Sequence, residues 1–264
     1  MKARASWREA KRALRSWRHI LPAGRNDAIL QFLILFTAYI AYDLVRFFTT
    51  GRESTAIANA QHIIHAEKGV RLYVEPWVQA KVSHVHLLVQ AMDWFYANMH
   101  IPVTIGFLAW VYLRRNDVWA VFRNGFLLVN AIAVSTFALL PVAPPRLVPT
   151  SGLVDTLFVF SKVNYESGGL ASITNPFAAV PSLHFGYALF VTIGIVLLSR
   201  ALWARLLAVA YTLVVLVAIV VTGNHFLFDA LAGGFVIMIA YLFTLSGSTV
   251  PETVAVRYDE ELCD

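Results

Sequence analysis

Long apolar runs recur along this chain of 264 residues, and most of them hold about 20 residues with few charges. A run of that length crosses the roughly 30 Å hydrocarbon core of a membrane as a helix. A closed barrel would also satisfy its backbone in lipid, but its strands would alternate apolar and polar side chains, which these runs do not. Hydrophobic residues make up 58% of the chain and charged residues 14%. This charged fraction is well below the roughly 25% of soluble domains. The sequence therefore predicts an all-α integral membrane protein.

These runs divide into six predicted transmembrane helices, at about residues 28–48, 94–113, 119–140, 184–199, 206–222 and 226–245. Residues 54–92 mix apolar side chains with charges too frequent for a span. They are predicted to form amphipathic helices that lie at the extracytoplasmic interface, anchored by Tyr73 and Trp77. Four prolines in residues 141–149 end the third helix, and residues 147–180 are expected to form an extramembrane loop.

The charge distribution predicts three regions: a basic arm at residues 1–25, a membrane domain at 26–246 and an acidic tail at 247–264. The arm carries eight Lys and Arg residues against a single acid, and the turns at 114–115 and 200–205 are also basic. Because cytoplasmic loops carry such an excess, both termini are predicted to be cytoplasmic. The arm is expected to contact anionic lipid rather than nucleic acid.

Successive spans cross the membrane in alternate directions, so three polar segments are predicted to reach the opposite, extracytoplasmic face. They are the proline-rich turn with Arg146, the start of the fourth span with His184, and the turn with His225.

The chain has a single cysteine, Cys263, so it can form neither an intrachain disulfide nor a thiolate metal cluster. Scarce cysteine and the Arg- and Ala-rich arm favour a bacterial plasma membrane, and the sequence does not indicate an oligomeric state.

His225 and Asp229 suit catalysis by their spacing. They stand four residues apart, so on a helix beginning near Asn224 they share a face and the carboxylate can hold one imidazole nitrogen. The other nitrogen is then free to act as a nucleophile or base. His184, at the start of its own helix, could give a proton to a leaving group. These residue types together predict phosphoryl transfer through histidine.

Phosphate would be held by Arg146, whose planar guanidinium suits phosphate oxygens. Free backbone N–H groups at Ser182 and Leu183, which open a helix, would add further contacts. Structural roles remain open beside these functional ones. His225 with Asp229 could be a polar clamp between helices, Arg146 could be an interfacial arginine, and Ser182 is a helix cap in either case.

The other histidines specify less. The pairs His62 with His65 and His84 with His86 have spacings that could suit a metal, but no third ligand type lies close, so solvated interfacial histidines are favoured. A single intramembrane histidine such as His100 fits helix packing as well as a phosphate site. No metal and no cofactor are predicted.

Several motifs resemble those of a known family. The runs Pro181 to His184 (PSLH) and Gly223 to Asp229 (GNHFLFD) resemble two signatures of the type 2 phosphatidic acid phosphatase superfamily, P-S-x-H and H-x-x-x-D. The turn Ala143 to Arg146 and the run Tyr96 to His100 are similar to the inositol phosphorylceramide synthase branch. With the stretch Glu67 to Gln79, the resemblance covers most of the chain.

The resemblance implies a mechanism and a set of site residues. The histidine that matches His225 attacks phosphorus and becomes phosphohistidine, Asp229 orients it, and His184 protonates the leaving group. The phosphoenzyme then passes its phosphoryl or phosphoalcohol group to water or to another alcohol, with no metal implied. The other matched residues are candidates for substrate and phosphate contact: Tyr96, His100, Gly223 and Asn224.

The chain also departs from the superfamily pattern at two cationic positions. Leu139 stands where the first signature has a lysine, and the pair Ala218-Ile219 stands where a Ser-Arg pair precedes the nucleophile. Phosphate must then be held by Arg146 and backbone N–H groups, with Lys162 and His100 as further candidates. Fewer cations weaken a simple lipid phosphatase assignment and favour the transferase-like branch.

Two functions of different classes remain open. The first is a membrane phosphatase or phosphotransferase that acts on a lipid phosphate, pyrophosphate or phosphodiester at the extracytoplasmic leaflet. The second is a non-catalytic lipid-binding or transport protein that keeps the pocket without the chemistry. Within the first, the acceptor decides between hydrolysis and transfer.

Overall fold

The computed structural model describes residues 21–49, 52–162 and 175–246. In these ranges the backbone is helical or irregular, with no strand and one isolated bridge between Val142 and Ala178. The predicted all-α class is therefore confirmed for the part of the chain that is described. Most of the basic arm and the whole acidic tail lie outside the described residues, and both regions stay predictions.

Ten α-helices occur in the described ranges and are numbered in chain order: α1 Gly24–Thr49, α2 Glu53–Gly69, α3 Glu75–Val82, α4 His86–Asn98, α5 His100–Arg114, α6 Trp119–Leu139, α7 Thr156–Val159, α8 Leu183–Leu198, α9 Leu202–Val221 and α10 Leu227–Ser246. Short 3-10 turns at Asn116–Val118 and Pro145–Leu147 precede α6 and follow it.

Four helical segments are long and apolar enough to cross a membrane: residues 24–44, 116–139, 202–221 and 227–246. Helix α8 is a shorter apolar helix of 16 residues, and the second predicted span is divided at Met99 into α4 and α5. Pro102 accounts for the division, because proline offers no N–H to the carbonyl of Asn98 and its ring clashes there. The chain is thus a helical membrane protein with four membrane-length helices in its described part, and six spans stay a prediction.

Helices α5, α6, α8 and α10 pack around a cluster of aromatic rings. The ring centroid of Phe190 lies 5.9 Å from those of Phe107 and Phe122 and 5.3 Å from that of Tyr241. On the outside of α10, Phe243 is 71% exposed. Such large apolar side chains on a surface are expected to face lipid.

Helices α2 and α3 cover the end of the bundle where the predicted catalytic residues lie. Trp77 is 63% exposed, as expected for an interfacial anchor. The charged residues Glu67 and Glu75 of this segment do not lie on its surface. Both are buried, together with Gln79, so the inward face of this segment carries polar as well as apolar side chains.

Helices α8 and α10 approach closely at the same end. The Ser182 N–H donates to the Asp229 carbonyl at 3.0 Å, which ties the start of α8 to the first turn of α10. Gly233, one turn further along α10, leaves no room for a side chain, because a Cβ there would lie 2.5 Å from the Ser182 carbonyl oxygen. A glycine at this position therefore permits the helix spacing that brings the start of α8 to the first turn of α10.

Replacing Gly233 by alanine should destabilise the protein by about 1–3 kcal/mol, the usual cost of an overpacked side chain, because the new Cβ meets backbone. Gly234→Ala is the matched control, since its Cβ would make ordinary 3.6 Å contacts with Leu189 and Phe185. Thermal unfolding of both variants in one detergent measures the difference. A melting temperature of Gly233→Ala at or above that of the unchanged protein would contradict this account of the contact.

Candidate active site

His225 lies in the turn between α9 and α10, two residues before α10 begins at Leu227. The expected helix start near Asn224, with His225 on the helix itself, is wrong. The pair with Asp229 forms nevertheless, because Asp229 reaches back from the first turn. Its Oδ2 accepts from the Phe226 N–H at 2.9 Å and lies 3.2 Å from His225 Nδ1, and both side chains are buried.

The imidazole of His225 has a second acceptor, the Ala179 carbonyl oxygen, 3.1 Å from Nδ1. Because a carbonyl oxygen only accepts, Nδ1 carries the hydrogen and Nε2 carries the lone pair. A buried imidazole held in this tautomer has the character of a nucleophile or base. The sequence anticipates the Asp229 contact but not the one from Ala179.

His184, the second residue of α8, lies within a group of four aromatic rings. It stacks on Tyr96 at a centroid distance of 4.1 Å and an interplanar angle of 17°. The ring of His100 lies 3.9 Å from His184, and that of His225 lies 5.6 Å away. The fold therefore brings together both histidines of the matched motifs and the two candidates from α4 and α5.

His100 and Tyr96 form one side of a small cavity beside His184. His100 Nδ1 donates to the Tyr96 carbonyl at 3.3 Å, so its Nε2 also carries a lone pair. The rest of the cavity lining is apolar: Phe95, Val215, Ala218 and Ile219. Two of these residues, Ala218 and Ile219, are the pair that departs from the Ser-Arg pattern noted in the sequence, so this wall of the cavity carries no cation.

Arg146 lies against the turn that carries His225, and its side chain is 5% exposed. Its Nη1 donates to Asp155 Oδ2 at 2.7 Å, and its Nε donates to Asn224 Oδ1 at 3.0 Å. Its backbone N–H donates to the Gly223 carbonyl at 2.9 Å. Asp155, which the sequence did not single out, therefore offsets part of the charge that Arg146 would present to a phosphate.

The start of α8 offers donors to an anion. The Oγ of Ser182 accepts from the Phe185 N–H at 3.4 Å, as expected for a helix cap, and the Ser182 N–H is taken by Asp229. No acceptor within the described residues pairs with the N–H groups of Leu183 and His184. Free N–H groups at a helix N-terminus suit phosphate.

Three other predicted phosphate contacts are engaged elsewhere. The backbone N–H groups of Gly223 and Asn224 donate to carbonyls of α9 at 3.0 Å and 3.2 Å, so these residues present acceptors to Arg146. Lys162 is exposed, and its Nζ donates to the Val159 carbonyl at 2.9 Å. Their contact with phosphate stays a prediction.

The segment that carries Asp155 is held in place by buried polar side chains that the sequence did not assign. The Val154 N–H donates to Gln79 Oε1 at 2.8 Å, and Gln79 Nε2 donates to the Val154 and Val221 carbonyls, each at 2.9 Å. Asp93 accepts from two hydroxyl groups further along the same segment, each at 2.5 Å. Gln79 thereby connects this segment to the end of α9.

The first turn of α10 is also held by two buried glutamates to which the sequence assigned no individual role. Glu75 Oε1 accepts from the Leu227 N–H at 2.8 Å, and Glu67 Oε1 accepts from the Phe228 N–H at 2.7 Å. Both glutamates lie in the stretch that shares the family resemblance. That resemblance was the available signal, because their mixed surroundings in sequence do not distinguish a buried acid from a solvated one.

A family model described as the PAP2 superfamily matches residues 61–243, a range that includes every site residue described above. Searches of curated proteins and of solved structures returned no match. Apolar helices and the family match together define a membrane protein of the phosphatase type. The chain belongs to the PAP2 superfamily, the type 2 phosphatidic acid phosphatases that its motifs resemble.

Proposed function

We propose that this protein is a metal-independent lipid phosphatase or phosphotransferase that works through a phosphohistidine. The observation that carries the proposal is the placement of His225. Its Nδ1 is held by Asp229 and Ala179, and its ring centroid lies 5.6 Å from that of His184. Two neighbouring imidazoles can supply the nucleophile and the proton donor for displacement at phosphorus.

In the proposed reaction, Nε2 of His225 attacks phosphorus and forms a P–N bond while the P–O bond to the leaving alcohol breaks. Protonated His184 gives its proton to the leaving oxygen. Water or a second alcohol then attacks the phosphohistidine, His184 takes its proton, and the P–N bond breaks. Asp229 keeps the Nδ1–H throughout and stabilises the charge that develops on the ring.

Phosphate oxygens are proposed to bind Arg146 and the N–H groups of Leu183 and His184. The ion pair between Arg146 and Asp155, 2.7 Å long, lowers the positive charge of this site. A phosphomonoester carries about −1.5 to −2 charges near neutral pH, whereas a phosphodiester carries a single one. The pairing therefore favours a phosphodiester donor.

A phosphodiester donor makes transfer the favoured branch of the proposed function. Cleavage leaves a phosphoalcohol on His225, which a lipid hydroxyl can accept as well as water can. Transfer of phosphoinositol, the chemistry of the inositol phosphorylceramide synthase branch, fits this description. The apolar residues Ala218 and Ile219, which stand in place of a Ser-Arg pair, also favour a phosphodiester donor, because the site then has one cation fewer.

The site is proposed to open at the extracytoplasmic face of a bacterial plasma membrane. The proposal rests on the positive charge of the basic arm and of the turns at residues 114–115 and 200–205, which mark the cytoplasmic side. The lipid substrate would then enter from the outer leaflet. The basic arm would bind anionic lipid on the cytoplasmic side.

One experiment tests the reaction and the donor together. Purified protein is incubated with phosphatidic acid and with phosphatidylinositol, each labelled with 32P at the phosphorus and each with and without a lipid alcohol. We expect an acid-labile, alkali-stable label on His225 and a new labelled phosphodiester from phosphatidylinositol. Free phosphate from phosphatidic acid should form more slowly, because that donor carries more charge.

The outcomes separate the candidate functions. Faster turnover of the monoester would contradict transfer and leave a lipid phosphatase. Binding of lipid without any labelled protein or product would overturn the proposed enzymatic function and favour a non-catalytic lipid-binding protein.

A further inference from the structure

Two buried carboxyl groups meet at the first turn of α10. Glu67 on α2 is 3% exposed and Glu75 on α3 is 0% exposed. Their Oε1 atoms accept from the consecutive N–H groups of Phe228 and Leu227, at 2.7 Å and 2.8 Å, and Asp229 Oδ2 takes the preceding N–H at 2.9 Å. The N–H groups that a helix start leaves unpaired are thus held by three carboxyl groups.

The other carboxyl oxygens of the two glutamates, the Oε2 atoms, have no donor among the described residues. The two carboxyl groups are held next to each other on consecutive N–H groups of one helix turn. Ionised carboxylates only accept, so a hydrogen bond between them needs a proton on one of them. Without that proton, two negative charges would lie side by side with little water between them.

We propose that Glu67 and Glu75 share one proton and act as positioning residues for the first turn of α10, and through it for Asp229 and His225. Sharing a proton keeps both Oε1 atoms on the helix N–H groups. It leaves one negative charge at the helix N-terminus, where the helix dipole favours an anion. The catalytic part rests on the proposed function of His225, whereas the shared proton does not.

The charges around the pair fit a shared proton. Burial raises the pKa of Glu67 to about 8, and the nearby carboxyl groups of Glu75 and Asp229 act in the same direction, while the hydrogen bond from the Phe228 N–H acts against it. The native protein should therefore keep a proton at this pair at neutral pH.

One further titratable group, Tyr73, lies near the pair. Tyr73, in the loop between α2 and α3, has a pKa raised to about 12 by burial and by both carboxyl groups, so it stays neutral. Lys68 lies over the Tyr73 ring, with Nζ 5.1 Å from its centroid. His225 Nδ1 lies 3.2 Å from Asp229 Oδ2, and this pair is unchanged in every glutamate variant. Comparison of such variants isolates the carboxyl pair.

The shared proton predicts how stability depends on pH. The ordinary pKa of a glutamate is 4.5, and that of Glu67 is raised to about 8. Between these values the native chain binds a proton that the unfolded chain has lost, so stability falls as pH rises from about 4.5 to about 8 and then levels. Glu67→Gln should remove this slope, because the amide cannot titrate. In the unchanged protein, loss of the shared proton near pH 8 should lower turnover beyond the decline caused by deprotonation of His184, and Glu67→Gln should lack this additional decline.

Glutamine variants test the sharing directly. In Glu67→Gln the amide can donate to Glu75 Oε2 while its oxygen still accepts from the helix, and Glu75→Gln can do the converse, so both should fold and turn over. The double variant places two NH2 groups face to face. Its kcat should fall by about 100-fold, the scale of a misplaced reacting group, with KM little changed. Glu53→Gln, at an exposed position of α2, is the control.

The measurements are melting temperature against pH in detergent, and kcat and KM against pH. A double variant whose loss equals the sum of the two single losses would overturn the shared proton, as would equal pH slopes of stability for Glu67→Gln and the unchanged protein. Single and double variants with unchanged kcat would overturn the positioning role. A pH slope that disappears in Glu67→Gln, in a protein without any turnover, would support the shared proton and count against the proposed function alone.

Discussion

His225→Ala is expected to lower turnover by at least about 10⁴-fold, the scale seen when a nucleophile is removed from an active site. The variant lacks Nε2, the atom proposed to bond to phosphorus. Arg146 and the start of α8 are unchanged, so lipid should still bind. Turnover of the labelled lipid and equilibrium binding to the same lipid, measured side by side, separate chemistry from binding.

The fold of this variant can be checked independently. Asp229 Oδ2 still accepts from the Phe226 N–H, so the first turn of α10 keeps this contact, and melting temperature should change little compared with the loss of turnover. His65→Ala, at an exposed position of α2, is the matched control and should retain full activity. Turnover by folded His225→Ala within tenfold of the unchanged protein would rule out the histidine nucleophile.

His184→Asn is expected to lower turnover of a lipid with an alkyl leaving group by about 10²–10⁴-fold, the usual contribution of general acid catalysis. The alkoxide needs a proton as it leaves, and asparagine cannot supply it. A p-nitrophenyl leaving group is stable as an anion, so its release should be affected far less. Turnover of a lipid donor and of a p-nitrophenyl phosphodiester, each compared between the variant and the unchanged protein, measures the decrease in rate for each leaving group.

The same variant should show a burst. After rapid release of one equivalent of p-nitrophenol, the phosphohistidine should accumulate, because His184 is also proposed to take the proton from the attacking water or alcohol. His100→Asn is the control: His100 lies 3.9 Å from His184 but is not proposed to transfer a proton, so its losses should be equal for both leaving groups. If His184→Asn lowered turnover equally for both leaving groups, the proposed role of His184 as general acid would be contradicted.

Much of the fold could be predicted because hydrophobicity acts locally. A run of about 20 apolar residues has one stable conformation in lipid, so α1, α6 and α9 begin and end near the expected residues, and α10 ends near its expected residue. Prolines and a serine cap similarly mark the start of α8, because their effects depend only on neighbouring residues. The pairing of His225 with Asp229 was also foreseen from their spacing.

The error at the start of α10 has a tertiary cause. The helix begins at Leu227 rather than near Asn224, and its first N–H groups are accepted by Glu75 and Glu67. These acceptors come from α2 and α3, about 150 residues earlier in the chain. No local pattern around Asn224 can show where such a helix starts.

The role of Arg146 also depended on the tertiary structure. Arginine in a proline-rich turn suits phosphate, and the sequence supports that interpretation. Only the fold brings Asp155 to 2.7 Å from the guanidinium and Gln79 to the segment that carries Asp155. The charge available to a phosphate is therefore a property of three segments together.

By itself, the sequence determined a helical membrane protein, the family motifs and the side chains His184, His225 and Asp229, because apolar length and motif spacing are local properties. The tertiary structure alone decided the tautomer of His225, through Ala179, and the burial of Glu67 and Glu75. Both depend on hydrogen bonds between segments distant in sequence. A buried polar group needs a partner, and only the packed helices show which partner it has.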